Sequence, residues 1–152
     1  MKDRQLNGYM CELGFGTPAY AESIALRQKI LRTPLGLTFH PEDLIKEWNS
    51  IHVGYYSRLD ELWGCLVLYP LDSDTWKMRQ VAVDELHQGK GIGQQLVHRS
   101  EIMARSAGIS RMILHARNTA IPFYERLAYR TEGEPFTEVG LPHARMVKIL
   151  ED

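Results

Sequence analysis

Apolar and polar positions fall into short alternating runs and longer helical stripes. Residues 9–13 are apolar-rich and stop at Gly14, Gly16 and Pro18, which predicts a first strand. Thr17-Pro18 reads as an N-cap followed by proline at the first helical position, opening a helix over 18–32 that buries Ile24, Ile30 and Leu31. Residues 41–48 predict a second, short helix. Residues 51–56 and 61–69 predict a hairpin turning at 57–60, and 75–83 a third strand. In that strand Met78, Gln80 and Ala82 share one parity, and Arg79, Val81 and Val83 the other. A long helix follows residue 91, with Ile92, Leu96, Met103, Ala104 and Ala107 on one stripe and Gly108 at its end. Residues 111–116 predict a strand, Asn118-Thr119 opens a helix carrying Phe123, Tyr124 and Leu127, and 134–139 with 143–149 form a closing hairpin. This order is α/β with a mixed sheet, and its central strand–helix–strand unit is a right-handed parallel crossover.

A chain of 152 residues has the size of one domain, so residues 1–152 are expected to form a single one. Hydrophobic residues make up 44% and charged residues 24%, the balance of a globular chain rather than a disordered one. The net charge of -1 gives no reason to expect a nucleic-acid partner. No run reaches the roughly 20 apolar residues of a membrane span, and residues 1–5 lack a signal-peptide core. No membrane association and a cytoplasmic location are therefore expected. Cys11 and Cys65 are in no metal-ligand or disulfide pattern and read as small buried hydrophobes.

Gln88-Gly89-Lys90-Gly91-Ile92-Gly93, between a strand and a helix, is the most informative stretch. Glycines there permit positive φ and close ligand approach. The free N–H groups and dipole of the following helix favour an anion, with a phosphate or pyrophosphate the natural guest. Two other phosphate loops fail. The dinucleotide fingerprint needs glycine where Leu96 stands, and the nucleoside-triphosphate loop needs Ser or Thr where Gly91 stands.

Gln88-x-x-Gly91-x-Gly93 resembles the Q/R-x-x-G-x-G/A motif of the GNAT superfamily of N-acetyltransferases. Residues 78–83 resemble its fourth strand, and the run from Asn118 to Leu127 its second motif, N-x-x-A-x-x-F-Y-E. Leu26-Arg27 with Ile30-Leu31-Arg32 resembles its first helix, and the run from Glu138 through Gly140, Pro142 and His143 to Met146 resembles the ElaA-like branch. One departure is Ala128-Tyr129 where the family has glycine and an aromatic, so the preceding helix is expected to end differently.

The resemblance implies a GNAT-like mixed sheet with splayed central strands, and acetyl-CoA as co-substrate. Val81, Ala82 and Val83 would pair with the pantetheine arm, with the Val81 N–H facing the oxyanion. The amides of Gln88, Gly89, Lys90, Gly91, Ile92 and Gly93 would hold the pyrophosphate. Lys90 either adds charge or is only solvated. Asn118 either bonds the cofactor or is a simple N-cap or turn residue. Tyr124 would serve the departing thiolate as acid.

Attack of an amine on a thioester also needs a base. Glu138, His143, His115 and His52 are all open candidates, with Glu138 and His143 held near a cleft by the turn at Gly140-Leu141-Pro142. His98 and Glu101 form a solvated i, i+3 pair. No H-E-x-x-H, Cys/His cluster or G-x-S-x-G occurs, so neither a metal nor a serine hydrolase is expected. The expected activity is acetyl transfer to a primary amine of a small molecule or peptide, with a homodimer allowed. The rivals are a non-catalytic CoA-binding sensor or scaffold and a phosphate-binding protein unrelated to CoA.

Overall fold

The structure is a computed structural model that describes residues 8–151. Seven strands form one sheet in the order β1-β2-β3-β4-β5-β7-β6. They are β1 Tyr9–Leu13, β2 Ile51–Tyr56, β3 Leu62–Pro70, β4 Thr75–Val83, β5 Arg111–Arg117, β6 Arg130–Glu138 and β7 Leu141–Ile149. The α-helices are α1 Pro18–Arg27, α2 Pro41–Leu44, α3 Ile92–Ser106 and α4 Ile121–Arg126. β4 and β5 run parallel, and the ladders β1–β2, β2–β3, β5–β7 and β7–β6 are antiparallel. The predicted element order and mixed sheet are the observed ones. The chain divides into two compact units, Met1–Tyr69 with Gln80–Ser100, and Pro70–Arg79 with Glu101–Asp152.

In the first unit the Thr17 hydroxyl accepts from the Tyr20 N–H, and Pro18 opens α1 as expected. The helix then widens into a π turn over Gln28–Arg32, closed by the Thr33 N–H on the Gln28 carbonyl, and Pro34 follows. Ile24, Ile30 and Leu31 are only half-buried; Tyr20, Ser23, Leu26 and Arg27 are buried instead. Arg27 sends two hydrogen bonds into the Glu47 carboxylate, at 2.9 and 2.6 Å, and Tyr20 Oη donates to the same group at 2.9 Å. Leu26, Cys65 and Ala82 form a core cluster, with Ile30, Leu31 and Leu62 packed against it. Gly64 is needed here, since a Cβ would meet Ile92 and Leu96 at 3.0 Å. Cys65 is buried, whereas Cys11 lies exposed on the edge strand β1 rather than in the core.

Ile92, Leu96 and Ala104 of α3 are buried as predicted, together with Val97 and Ser100. Met103 is half-buried and Ala107 lies exposed beyond the helix end. His98 is exposed, but Glu101 is not solvated. It is 3% exposed and accepts from Tyr129 Oη and Lys148 Nζ, each at 2.9 Å.

In the second unit the predicted change at the end of α4 does not occur. Ala128 takes φ +72°, the Ala128 N–H bonds the Glu125 carbonyl and the Tyr129 N–H bonds the Tyr124 carbonyl. This is a Schellman closure with alanine in glycine's place, held by the burial of Tyr129. The closing hairpin turns at Val139 (φ +46°) and Gly140 (φ +75°), while Leu141 and Pro142 already belong to β7.

Candidate active site

The feature of β4 that stands out is not a side chain but a backbone shape. The parallel ladder joins residues 75–78 of β4 to 111–114 of β5 and goes no further. Two residues on, Gln80 has φ +56°, a left-handed conformation costly for a residue with a Cβ. Of the residues predicted to share a parity, Met78 and Ala82 are buried and Gln80 between them is half-buried. Val81 and Val83 are also half-buried.

After β4, Asp84 caps a 3-10 turn over Glu85–His87 and pairs with Lys29 at 3.2 Å. Gln88 Nε2 donates to the Val83 carbonyl at 2.9 Å, tying the loop back to the strand. Gly89 and Gly91 have φ +79° and +86°, and the Gln95 N–H to Gly91 carbonyl bond starts α3. The N–H groups of Gly91, Ile92, Gly93 and Gln94 thus lie in the first turn, without intrahelical acceptors.

Lys90 is held rather than simply solvated. Its Nζ donates to His87 Nδ1 at 3.1 Å and sits 5.2 Å above the Trp63 ring. Trp63 and His87 stack with centroids 3.6 Å apart. His87 Nδ1 as acceptor leaves the proton on Nε2. Sequence reasoning passed over both rings. His87 stands three residues before Lys90, which is a legible signal, but Trp63 arrives from β3 with none.

In the second unit Asn118 begins a single 3-10 turn, Asn118–Ala120, and is exposed. It caps neither that turn, whose N-cap is Arg117, nor α4, whose N-cap is Ala120. Tyr124 is buried between Phe123 and Tyr129, with ring centroids 4.9 and 5.8 Å away. Burial pushes the Tyr124 phenol up to about 12.

Three of the four base candidates meet in this unit. His115 Nδ1 is 3.0 Å from Glu138 Oε1, and His143 Nε2 is 3.8 Å from Glu138 Oε2. Phe136 packs beside both rings, edge-on to His115 and stacked with His143. His143 Nδ1 donates to the Leu141 carbonyl at 2.9 Å, which fixes its tautomer and leaves Nε2 toward the carboxylate. Burial works to raise the Glu138 carboxyl. The hydrogen bond from His115 and the charges of His115, His143 and Lys77 outweigh it and hold the group below the ordinary glutamate range. The fourth candidate, His52, does not join them. It is buried in the first unit, where Nε2 bonds the Glu47 carbonyl at 3.1 Å, and burial lowers its basicity.

Among the described residues no three His, Cys, Asp or Glu side chains are grouped to hold a metal ion, and no helix is long and apolar enough to cross a membrane.

"Uncharacterized N-acetyltransferase YjcF" of Bacillus subtilis is 31% identical over 119 residues, covering 70% of this chain and 85% of that one. A "Putative acetyltransferase" of the same organism is 35% identical over 74 residues, so the match spans only half of that relative: 49% of this chain and 50% of the other. Among solved structures, a "putative N-acetyltransferase" from Lactobacillus plantarum superposes with a TM-score of 0.83 at 26% identity, covering 95% of this chain and 99% of that one. A GNAT family acetyltransferase from Elizabethkingia anophelis with acetyl-CoA bound shares the fold, with a TM-score of 0.75 at 21% identity over 95% and 99% of the two chains. The family model "Acetyltransferase (GNAT) domain" matches residues 44–150, from the end of α2 through β7, and the chain belongs to the GNAT acetyltransferase family.

Proposed function

We propose that the protein transfers an acetyl group from acetyl-CoA to a primary amine of a small molecule or peptide by direct attack. The loop at residues 88–93 carries this reading. Two positive-φ glycines and the free N–H groups opening the 15-residue helix α3 form a backbone cradle for a pyrophosphate. The Elizabethkingia structure shows that the same fold takes acetyl-CoA. Gln88, Gly89, Lys90, Gly91, Ile92 and Gly93 bind the diphosphate, with Lys90 as the charged member. Val81, Ala82 and Val83 offer backbone groups to the pantetheine arm, and the Val81 N–H receives the oxyanion. Asn118, exposed and not engaged as a cap, is available to bond the cofactor.

The amine nitrogen forms a bond to the thioester carbonyl carbon, and the C–S bond breaks. The proton lost by the amine goes to the His115–Glu138–His143 cluster, in which Glu138 and His143 are the catalytic pair. The departing thiolate takes its proton from water. A free thiol has a pKa of about 8.5, well below the Tyr124 phenol, so Tyr124 steadies the departing sulfur chiefly by donating a hydrogen bond.

The test is calorimetric titration of acetyl-CoA into wild type and Gly91→Glu, with circular dichroism to confirm that both are folded. The glutamate adds a charge beside the diphosphate, and binding is lost. Tight binding by folded Gly91→Glu contradicts the loop assignment.

A further inference from the structure

The register of the second unit's strands sorts its side chains onto two faces. Met112, Leu114, Ala116, Ala144 and Met146 lie on one face and are all buried. The pairs Lys77–Ile113, His115–Arg145 and Phe136–His143 place these residues on the other. Arg79, two residues after Lys77 on β4, shares its parity. The second face therefore holds the imidazole–carboxylate cluster and a group of cations together.

The charges there do not balance. Arg145 Nε lies 3.2 Å from Glu132 Oε1, so that pair is matched. Glu138 is engaged by His115 and His143. Lys77 and Arg79 have no carboxylate within ion-pair distance among the described residues. Lys77 is half-buried. Burial first, then the charge of Arg79, disfavour its ammonium form; Glu138 pulls the other way, and Arg145 adds a smaller push. An oxyanion bound here supplies the counter-charge that half-buried Lys77 lacks, with exposed Arg79 beside it to share the anion, while the neighbouring carboxylate suits an ammonium.

We infer that the acceptor is an amine that also carries an acid group, its oxyanion meeting Lys77 and Arg79 while its amine meets Glu138. This rests on the acetyltransferase reading above. The amine gives up a proton to the imidazole–carboxylate cluster, the N–C bond forms, and the C–S bond to CoA breaks. The product is an uncharged amide that keeps its acid group. It has lost the charge that Glu138 attracts, which favours its release.

The experiment follows CoA thiol release with matched acceptors: an α-amino acid, its carboxamide, the decarboxylated amine, and an aminoalkyl phosphate of similar length. The expected result is that kcat/KM is about 10- to 100-fold higher for acid-bearing amines, the scale of hydrogen bonds to charged groups. The carboxylate and phosphate arms tell which oxyanion fits better. In Arg79→Gln and Lys77→Met the ratio of acid-bearing to neutral acceptor falls toward one. Equal wild-type rates on acid-bearing and neutral amines overturn the inference and leave acetyl transfer intact. A preference that persists in both variants also overturns it.

Thiol release with no amine at all counts against the acetyltransferase reading instead. NMR titration of the His115 and His143 ring protons with the α-amino acid and its carboxamide, in the presence of CoA, then decides this inference on its own. Selective shifts with the acid support it, and equal or absent shifts overturn it.

Discussion

His115 Nδ1 and Glu138 Oε1 lie 3.0 Å apart although their strands, β5 and β6, are separated in the sheet by β7. The register sets His115, His143 and Glu138 on one face of this part of the sheet, where the His115 and Glu138 side chains reach each other across β7. His143, on β7 between them, contacts the second carboxylate oxygen. We expect Glu138→Ala to lower amine-dependent turnover by about 10²–10⁴, the range of a lost acid–base group, while the acetyl-CoA dissociation constant changes less than about twofold. The Glu138 carboxyl is held below the ordinary glutamate range, so it stays ionised as pH falls toward about 4.3. A loss of rate between about pH 6 and 8 therefore belongs to an imidazole. The checks are pH–rate profiles of wild type and Glu138→Ala, with calorimetry for the cofactor.

Tyr124→Phe keeps the ring packed against Phe123 and Tyr129 and removes only the hydroxyl. Turnover should drop by about 10²–10³, the scale of a lost transition-state hydrogen-bond donor, with little change in cofactor affinity. With the phenol near 12, no alkaline loss from its ionisation should appear below about pH 11. Single-turnover rates against pH check both statements.

Ala128 and Val139 take positive φ without being glycine. Each conformation costs roughly 1–2 kcal/mol for an L-residue. We expect Ala128→Gly to stabilise the protein by about 1 kcal/mol, partly offset by the greater freedom of glycine in the unfolded chain. Val139→Asn should do the same, since Asn-Gly suits a two-residue hairpin turn. Urea unfolding midpoints at constant slope measure both.

Arg27 and Glu47 form a buried, doubly hydrogen-bonded pair. Removing one partner strands the other charge, so Arg27→Ala should cost about 3–5 kcal/mol. Burial alone raises the Glu47 carboxyl, but Arg27, Tyr20 and His52 outweigh it and lower the group. Its stability contribution is thus complete above about pH 4.3, the unfolded value, and fades as pH falls through the lower folded value. Glu47→Gln should flatten this acid limb, as measured by urea unfolding from about pH 5 down to 2.

The sequence was most legible where local chemistry decides the backbone. Thr17-Pro18 starts α1, the glycines at 89 and 91 take positive φ, and β1, β2 and β4 occupy the predicted residues. What escaped was decided by partners far along the chain. Arg27 is buried because Glu47 is there, 20 residues later. Glu101 is buried because Tyr129 and Lys148 reach it. Ala128 holds a glycine conformation because the Tyr129 ring is buried after it, and its own side chain gives no sign of this. Four base candidates could not be ranked from spacing; register alone gathers His115, Glu138 and His143 and sends His52 elsewhere.

The reaction proposed for this protein is transfer of acetyl from CoA to an amine nitrogen. Incubation of the protein with acetyl-CoA carrying an isotopically labelled acetyl group and a panel of amines, read by mass spectrometry, tests it most directly. Labelled acetyl is expected on the amine, in amounts equal to the CoA thiol released, with loss of both in Gly91→Glu. Acetyl-CoA bound tightly by the wild type with no labelled amine formed from any acceptor would contradict it and leave a binding module in place of an enzyme.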